Sequence, residues 1–220
     1  QPDLDRETAP TVEVRTKSHR VVFSTLGAVP LRWDLVNLTA AAAPDGDSSS
    51  STTISLIPSV YSRQREYPFM IEGRPLELFN DVPFTVQKAD LPDGGVDLTL
   101  TSEDRKGLRV VKRFQFPKEG YLVPFTLTVV NGSEMRKLFS DDGLGLSIGW
   151  QGGFMEPDEN SRAKGTLLGM VSNAGGLRTE TVEAKGEPTT IQGPILWAGV
   201  ERKFFLAAII PGKDIEAGAA

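Results

Sequence analysis

The feature that most constrains this chain is its punctuation. Short apolar runs, none with the period of a three-turn helix, are each closed by glycine or proline, and 22 glycines and 15 prolines serve as the stops. Proline removes a backbone donor and glycine weakens any long regular element, so such a chain folds through many short strands. That layout points to an all-β sandwich with few or no long helices, not to alternating helices and strands. No internal repeat is present.

The strands are read from alternation. In residues 11–17, Val12 and Val14 face one way while Glu13 and Arg15 face the other. His19–Ser24 and Val29–Val36 follow, with Gly27 marking the turn and Trp33 and Leu35 sharing a face. A meander then runs through Phe84–Lys88, Val96–Thr101 and Leu108–Phe116. In the last of these, Leu108, Val110, Phe114 and Phe116 share a face that Lys112 alone interrupts. Pro117 to Gly120 turns the chain into the run Tyr121–Val130. Pro124 costs that run a ladder donor, so it reads as an edge or bulged strand, and Tyr121, Val123, Pro124 and Phe125 are the candidate partner-facing residues. Near the end, Ile195–Val200 and Phe204–Ile210 flank Glu201-Arg202-Lys203 as a largely buried hairpin. Its second run is far short of the roughly 20 apolar residues that span a bilayer.

The domain reading is a disordered segment over 1–10 and one domain over 11–220, interrupted by a flexible Ala/Ser-rich insertion at 40–53. Within the irregular stretch 58–83, Tyr67-Pro68-Phe69 reads as a hydrophobic latch.

The chemical inventory is thin. There is no cysteine, which excludes disulfides, thiolate nucleophiles and thiolate-bound metals. The one histidine, His19, lies at the parity of Val21 and Phe23 and reads as a structural or surface histidine; with no cysteine beside it, no zinc site can be assembled. The acidic pairs Asp141-Asp142 and Asp158-Glu159 sit among turn residues, where Asp is favoured for geometry alone. A net charge of -5 argues against nucleic acid as a partner. The expectation is no catalytic residue, no cofactor and no metal.

Several stretches resemble one family in order and spacing. They are Val12-x-Val14-x-Thr16 leading into Val22-Phe23-Ser24-Thr25-Leu26-Gly27-Ala28 and Trp33-x-Leu35, then Tyr67-Pro68-Phe69 and Lys112-Arg113-Phe114-x-Phe116. At the end stands Trp197-x-Gly199-Val200 followed by Phe204-Phe205-Leu206-Ala207-Ala208-Ile209-Ile210-Pro211. Together these look like the periplasmic domain of bacterial YidC membrane-protein insertases. The resemblance implies a large twisted β-supersandwich similar to sugar mutarotases, facing the periplasm on a protein of the bacterial inner membrane. It implies a non-catalytic part of a chaperone that inserts and folds membrane proteins, with Sec translocon components and nascent membrane proteins as partners. The family's domain continues beyond a hairpin of this kind, which implies that Ala220 falls short of the domain's end. The residues implied in insertion lie in membrane-embedded segments, so no site residue carries over. The alternative is a carbohydrate-binding or mutarotase-like domain on the same architecture, and a third reading is a secreted adhesion module.

Overall fold

The computed structural model describes residues 5–39, 53–58, 67–132, 147–150, 167–173, 176–182, 195–202 and 205–212. Residues 1–4, the body of the expected insertion at 40–52, and both acidic pairs lie outside these. The chain divides into two compact units, Gln1–Gly153 and Phe154–Ala220.

The first unit is a sandwich of antiparallel sheets. One sheet holds β1 (Thr11–Arg15), β2 (His19–Ser24), β3 (Val29–Thr39) and β4 (Thr53–Ser55) in sequence order. A two-stranded piece pairs β5 (Ile71–Glu72) with a strand from later in the chain. The second four-stranded sheet holds β6 (Thr85–Asp90), β7 (Val96–Glu103), β8 (Leu108–Phe116) and β9 (Phe125–Asn131). The partner of β5 is β10 (Ser147–Ile148). Among the described residues the helical content is a single 3-10 segment, Leu76–Asp81.

Alternation decides what is buried. Along β8, Leu108, Val110, Lys112, Phe114 and Phe116 point inward while the residues between them are half-buried or exposed. Val21, Phe23, Trp33 and Leu35 bring the facing side chains from the first sheet. Phe23 lies 4.8 Å from Phe114 between ring centroids, which joins the two layers. Each such aromatic, fully buried, contributes roughly 2–3 kcal/mol by area removed from water.

Two sequence expectations change here. Residues 5–10, read as part of a disordered segment, form a turn instead, with Ala9 N–H donating to Asp5 O at 3.0 Å. Arg6 is buried, and one guanidinium nitrogen donates to Asn80 O at 2.7 Å and Asp81 Oδ1 at 2.8 Å. The strand expected from Tyr121 starts only at Phe125, because Pro124 has no N–H to give the ladder. The ladder is extended from the other side, where Gln115 N–H donates to Pro124 O at 3.0 Å.

The second unit is a single antiparallel sheet among the described residues. It comprises β11 (Leu167–Asn173), β12 (Gly176–Val182), β13 (Ile195–Arg202) and β14 (Phe205–Ile209), in the order β12-β11-β13-β14. The expected C-terminal hairpin is β13–β14, with Gly199 paired to Ala208. Only glycine fits at 199, since a Cβ there would stand 2.5 Å from Ala207 O. Rather than being largely buried, β14 alternates half-buried and exposed, with Leu206 on its exposed face.

Candidate functional site

His19, the residue most open to a chemical reading, is consumed by structure. Trp33 Nε1–H donates to its Nδ1 at 3.1 Å, so the ring proton sits on Nε2, which donates to Gly120 O at 3.0 Å. Both ring nitrogens are occupied. Trp33, Phe116 and Tyr121 all approach the ring edge-on, with centroids 5.7–5.9 Å away. Burial lowers the His19 pKa, and the Gly120 carbonyl only partly offsets it. An imidazole so engaged cannot serve the acid–base role that a mutarotase-like reading requires.

A stability effect follows from that burial. A base whose pKa is lower folded than unfolded leaves the unfolded chain holding more protons, so stability falls as pH drops through and below the free value near 6.5. Urea unfolding between pH 7 and pH 5 is expected to show this loss, with a slope of up to about 1.4 kcal/mol per pH unit. His19→Phe should flatten that part of the profile; an unchanged slope in the variant defeats the assignment.

The hydrogen bond to Gly120 also fixes the candidate partner-facing residues. Gly120 N–H donates to Ser18 Oγ at 2.9 Å, and Lys17 N–H donates to Lys118 O at 3.0 Å. The β8–β9 turn is thereby tied to the β1–β2 turn. Tyr121 and Leu122 stand 54% and 71% exposed on this fixed turn, Val123 is half-buried and Pro124 exposed. Phe125 is half-buried, its ring 4.8 Å from Phe114. Among the described residues β9 is the end strand of its sheet.

The group that sequence reading missed is Lys112. It is fully buried, and its ammonium meets three carbonyl oxygens: Phe69 at 2.7 Å, Gly27 at 2.8 Å and Ala28 at 3.4 Å. Burial, with Arg6 adding like-charge repulsion, lowers its pKa to about 7. Three acceptors match the three N–H donors of an ammonium, so the side chain is an internal tie between turns. The available signal was its parity: it shares a face with Val110 and Phe114 in an otherwise apolar row.

A shallow depression of about 340 Å³ lies over the outer face of β6–β8. Its charged groups are engaged: Arg113 Nε donates to both Asp97 oxygens at 3.0 Å and holds that carboxyl below its ordinary range, while Lys88 Nζ donates to Glu13 O at 3.0 Å. No group of three or more histidine and carboxylate side chains that could hold a metal occurs among the described residues. No described helix is long and apolar enough to cross a membrane.

What these elements define is an antiparallel β-sandwich whose polar groups tie turns together and whose aromatic side chains reach the surface at one sheet end. The chain matches the YidC periplasmic domain family over residues 11–219 and belongs to that family. The family is a non-catalytic domain of the YidC insertase, and it places the chain in a membrane-anchored protein on the side that faces the periplasm. A comparison with curated proteins finds no match.

Proposed function

We propose that this chain is the non-catalytic periplasmic domain of an insertase of the bacterial inner membrane. It assists the insertion and folding of membrane proteins, alone or beside the Sec translocon, by contact and without a cofactor. The observation that carries this reading is the family match over 11–219, which spans both compact units. It supports treating them as one periplasmic domain. Tyr121, Val123, Pro124 and Phe125 are the proposed partner-facing end: a fixed turn with exposed apolar side chains beside an end strand suits capture of an extended partner segment.

The test places a photo-crosslinking residue at Tyr121, and separately at Asp93 in the β6–β7 turn, in the membrane-anchored parent protein. Adducts with translocon subunits or nascent membrane proteins are expected at Tyr121 and not at Asp93. Equal yields at both positions would refute the partner-facing assignment. Growth of cells whose insertase lacks residues 11–219, with membrane-protein insertion unimpaired, would refute the functional reading itself.

A further inference from the structure

The end strand β9 turns a defined set of backbone groups away from its sheet. At its two ends, Gln115 N–H donates to Pro124 O at 3.0 Å and Gly132 N–H donates to Gly107 O at 2.8 Å. Both bonds join directly opposite residues in the unbroken β8–β9 register, and in an antiparallel ladder such bonded pairs recur at every second position. Thr126, Thr128 and Val130 therefore point their N–H and C=O groups towards β8. Phe125, Leu127 and Val129 point theirs outward, and among the described residues no strand takes them.

The same three residues carry the inner-face side chains of β9. Opposite them on β8 stand Phe114, Lys112 and Val110, all buried, yet Phe125, Leu127 and Val129 are only half-buried. Thr126 and Thr128 are exposed on the outer face. From Phe125 to Val130 the strand has no charge, no proline and no bulge, the devices that keep an edge from pairing. At the other end of the same sheet, β6 carries Lys88 and Asp90. Strand addition is thus opposed at β6 and unopposed at β9.

We propose that β9 pairs with β9 of a second copy of this chain, antiparallel and centred on Leu127. The strand is self-complementary in that register: Leu127 meets Leu127 of the second copy, Phe125 meets Val129, and Thr126 meets Thr128. All three outward-pointing residues of each copy gain their backbone bonds. Aromatic–β-branched and Thr–Thr neighbours are favourable cross-strand pairs, and no like charges face one another. A shift of two residues sets Val129 against Val123, outside the strand, or Phe125 against polar Asn131. So short a ribbon is a small interface, so the association is weak and reversible. A copy seated on β9 covers Phe125, which makes self-pairing and capture of another extended segment alternatives at that edge.

Amide exchange followed by NMR on the unaltered chain reads the pairing residue by residue. Raising the chain from about 20 μM to about 1 mM is expected to slow exchange at Leu127 and Val129 roughly threefold or more. Thr126 and Thr128, already bonded to β8, should not change. Sedimentation over the same range should show a monomer–dimer equilibrium. Thr128→Lys on the exposed face sets two like charges diagonally across the two-fold axis and is expected to weaken the dimer about tenfold. Adding Thr126→Glu places opposite charges face to face and should restore it. Ala208→Lys, on the exposed face of the end strand β14, should leave the dimer unchanged. A chain that stays monomeric at about 1 mM, or exchange that ignores concentration, overturns the proposal. So does association that survives Thr128→Lys or is lost in Ala208→Lys. Protection of Leu127 and Val129 only when the peptide Lys-Phe-Thr-Leu-Thr-Val-Lys is added also overturns it, and makes the edge a site for foreign strands. If Thr128→Lys fails to fold, the exchange pattern of the unaltered chain decides alone. No insertion is measured, so a negative result leaves the insertase reading standing.

Discussion

Lys112→Met is expected to lower the unfolding free energy by about 3 kcal/mol at neutral pH, because buried carbonyls of two turns lose their donor. Two opposing terms decide the sign. Methionine removes the cost of burying an amine, which alone would stabilise the fold. Against that, the oxygens of Gly27 and Phe69, at 2.8 and 2.7 Å from Nζ, are each left without their donor, at about 1–3 kcal/mol apiece. A neutral amine still donates to both of these, so half-deprotonation near pH 7 does not release the tie. The loss of acceptor satisfaction therefore wins.

The same residue gives the effect a pH signature. Its pKa is about 7 in the fold and 10.5 when free, so between these values the unfolded chain binds more protons than the native one. Stability due to Lys112 then rises with pH across that window and is flat below it. The deficit of Lys112→Met is expected to be smallest near pH 6.5 and to grow steadily towards pH 9.5, measured by urea unfolding at matched ionic strength. A variant as stable as the parent at pH 8 would show that the carbonyl cage contributes nothing, and a deficit independent of pH would show that burial does not lower the Lys112 pKa.

How much of this was legible beforehand depends on the range over which each feature is determined. The meander β6–β9 was readable because alternation and turn residues are local, and Leu108–Phe116 was placed with its observed limits. The Tyr67-Pro68-Phe69 latch was legible as a hydrophobic segment, but not the left-handed backbone of Phe69, which Lys112 and Gly149 impose from distant parts of the chain. The burial of Lys112 was hidden for the same reason: its acceptors lie more than forty positions away along the chain. The start of β9 was misplaced by four residues because a run of apolar residues does not reveal which N–H groups find partners. Arg6 was assigned to a disordered end because its anchors, Asn80 and Asp81, belong to a 3-10 turn that carries no strong sequence signal. His19 was given the parity of Val21 and Phe23, which left a structural and a surface histidine both open; its burial and its bond to Trp33 depend on a strand register that sequence does not give.

Gly27→Ala is expected to cost about 4 kcal/mol, the sum of a left-handed alanine and a backbone collision. Gly27 adopts φ +76°, and a Cβ built there would lie 2.3 Å from Asn80 O, a contact that must be relieved by moving main chain. The atoms in question cannot shift alone. Asn80 O accepts from Arg6 at 2.7 Å, while the Asn80 side chain brackets Ile71, accepting from its N–H at 2.8 Å and donating to its carbonyl at 2.7 Å. Gly27 itself donates to Val82 O at 2.9 Å and accepts from Lys112. A displacement at Gly27 is therefore shared by the N-terminal turn, the 3-10 segment, β5 and the lysine tie. Two further glycines separate the contributions. Gly120 has φ +100° but open space around it, so Gly120→Ala should cost about 1–2 kcal/mol from backbone strain alone. At Gly149 there is open space and no left-handed backbone, so Gly149→Ala should stay within about 0.5 kcal/mol of the parent. Urea unfolding of the three variants side by side tests the order. If Gly27→Ala costs no more than Gly120→Ala, the close approach to Asn80 is not a constraint, and the coupling of these four segments through it falls.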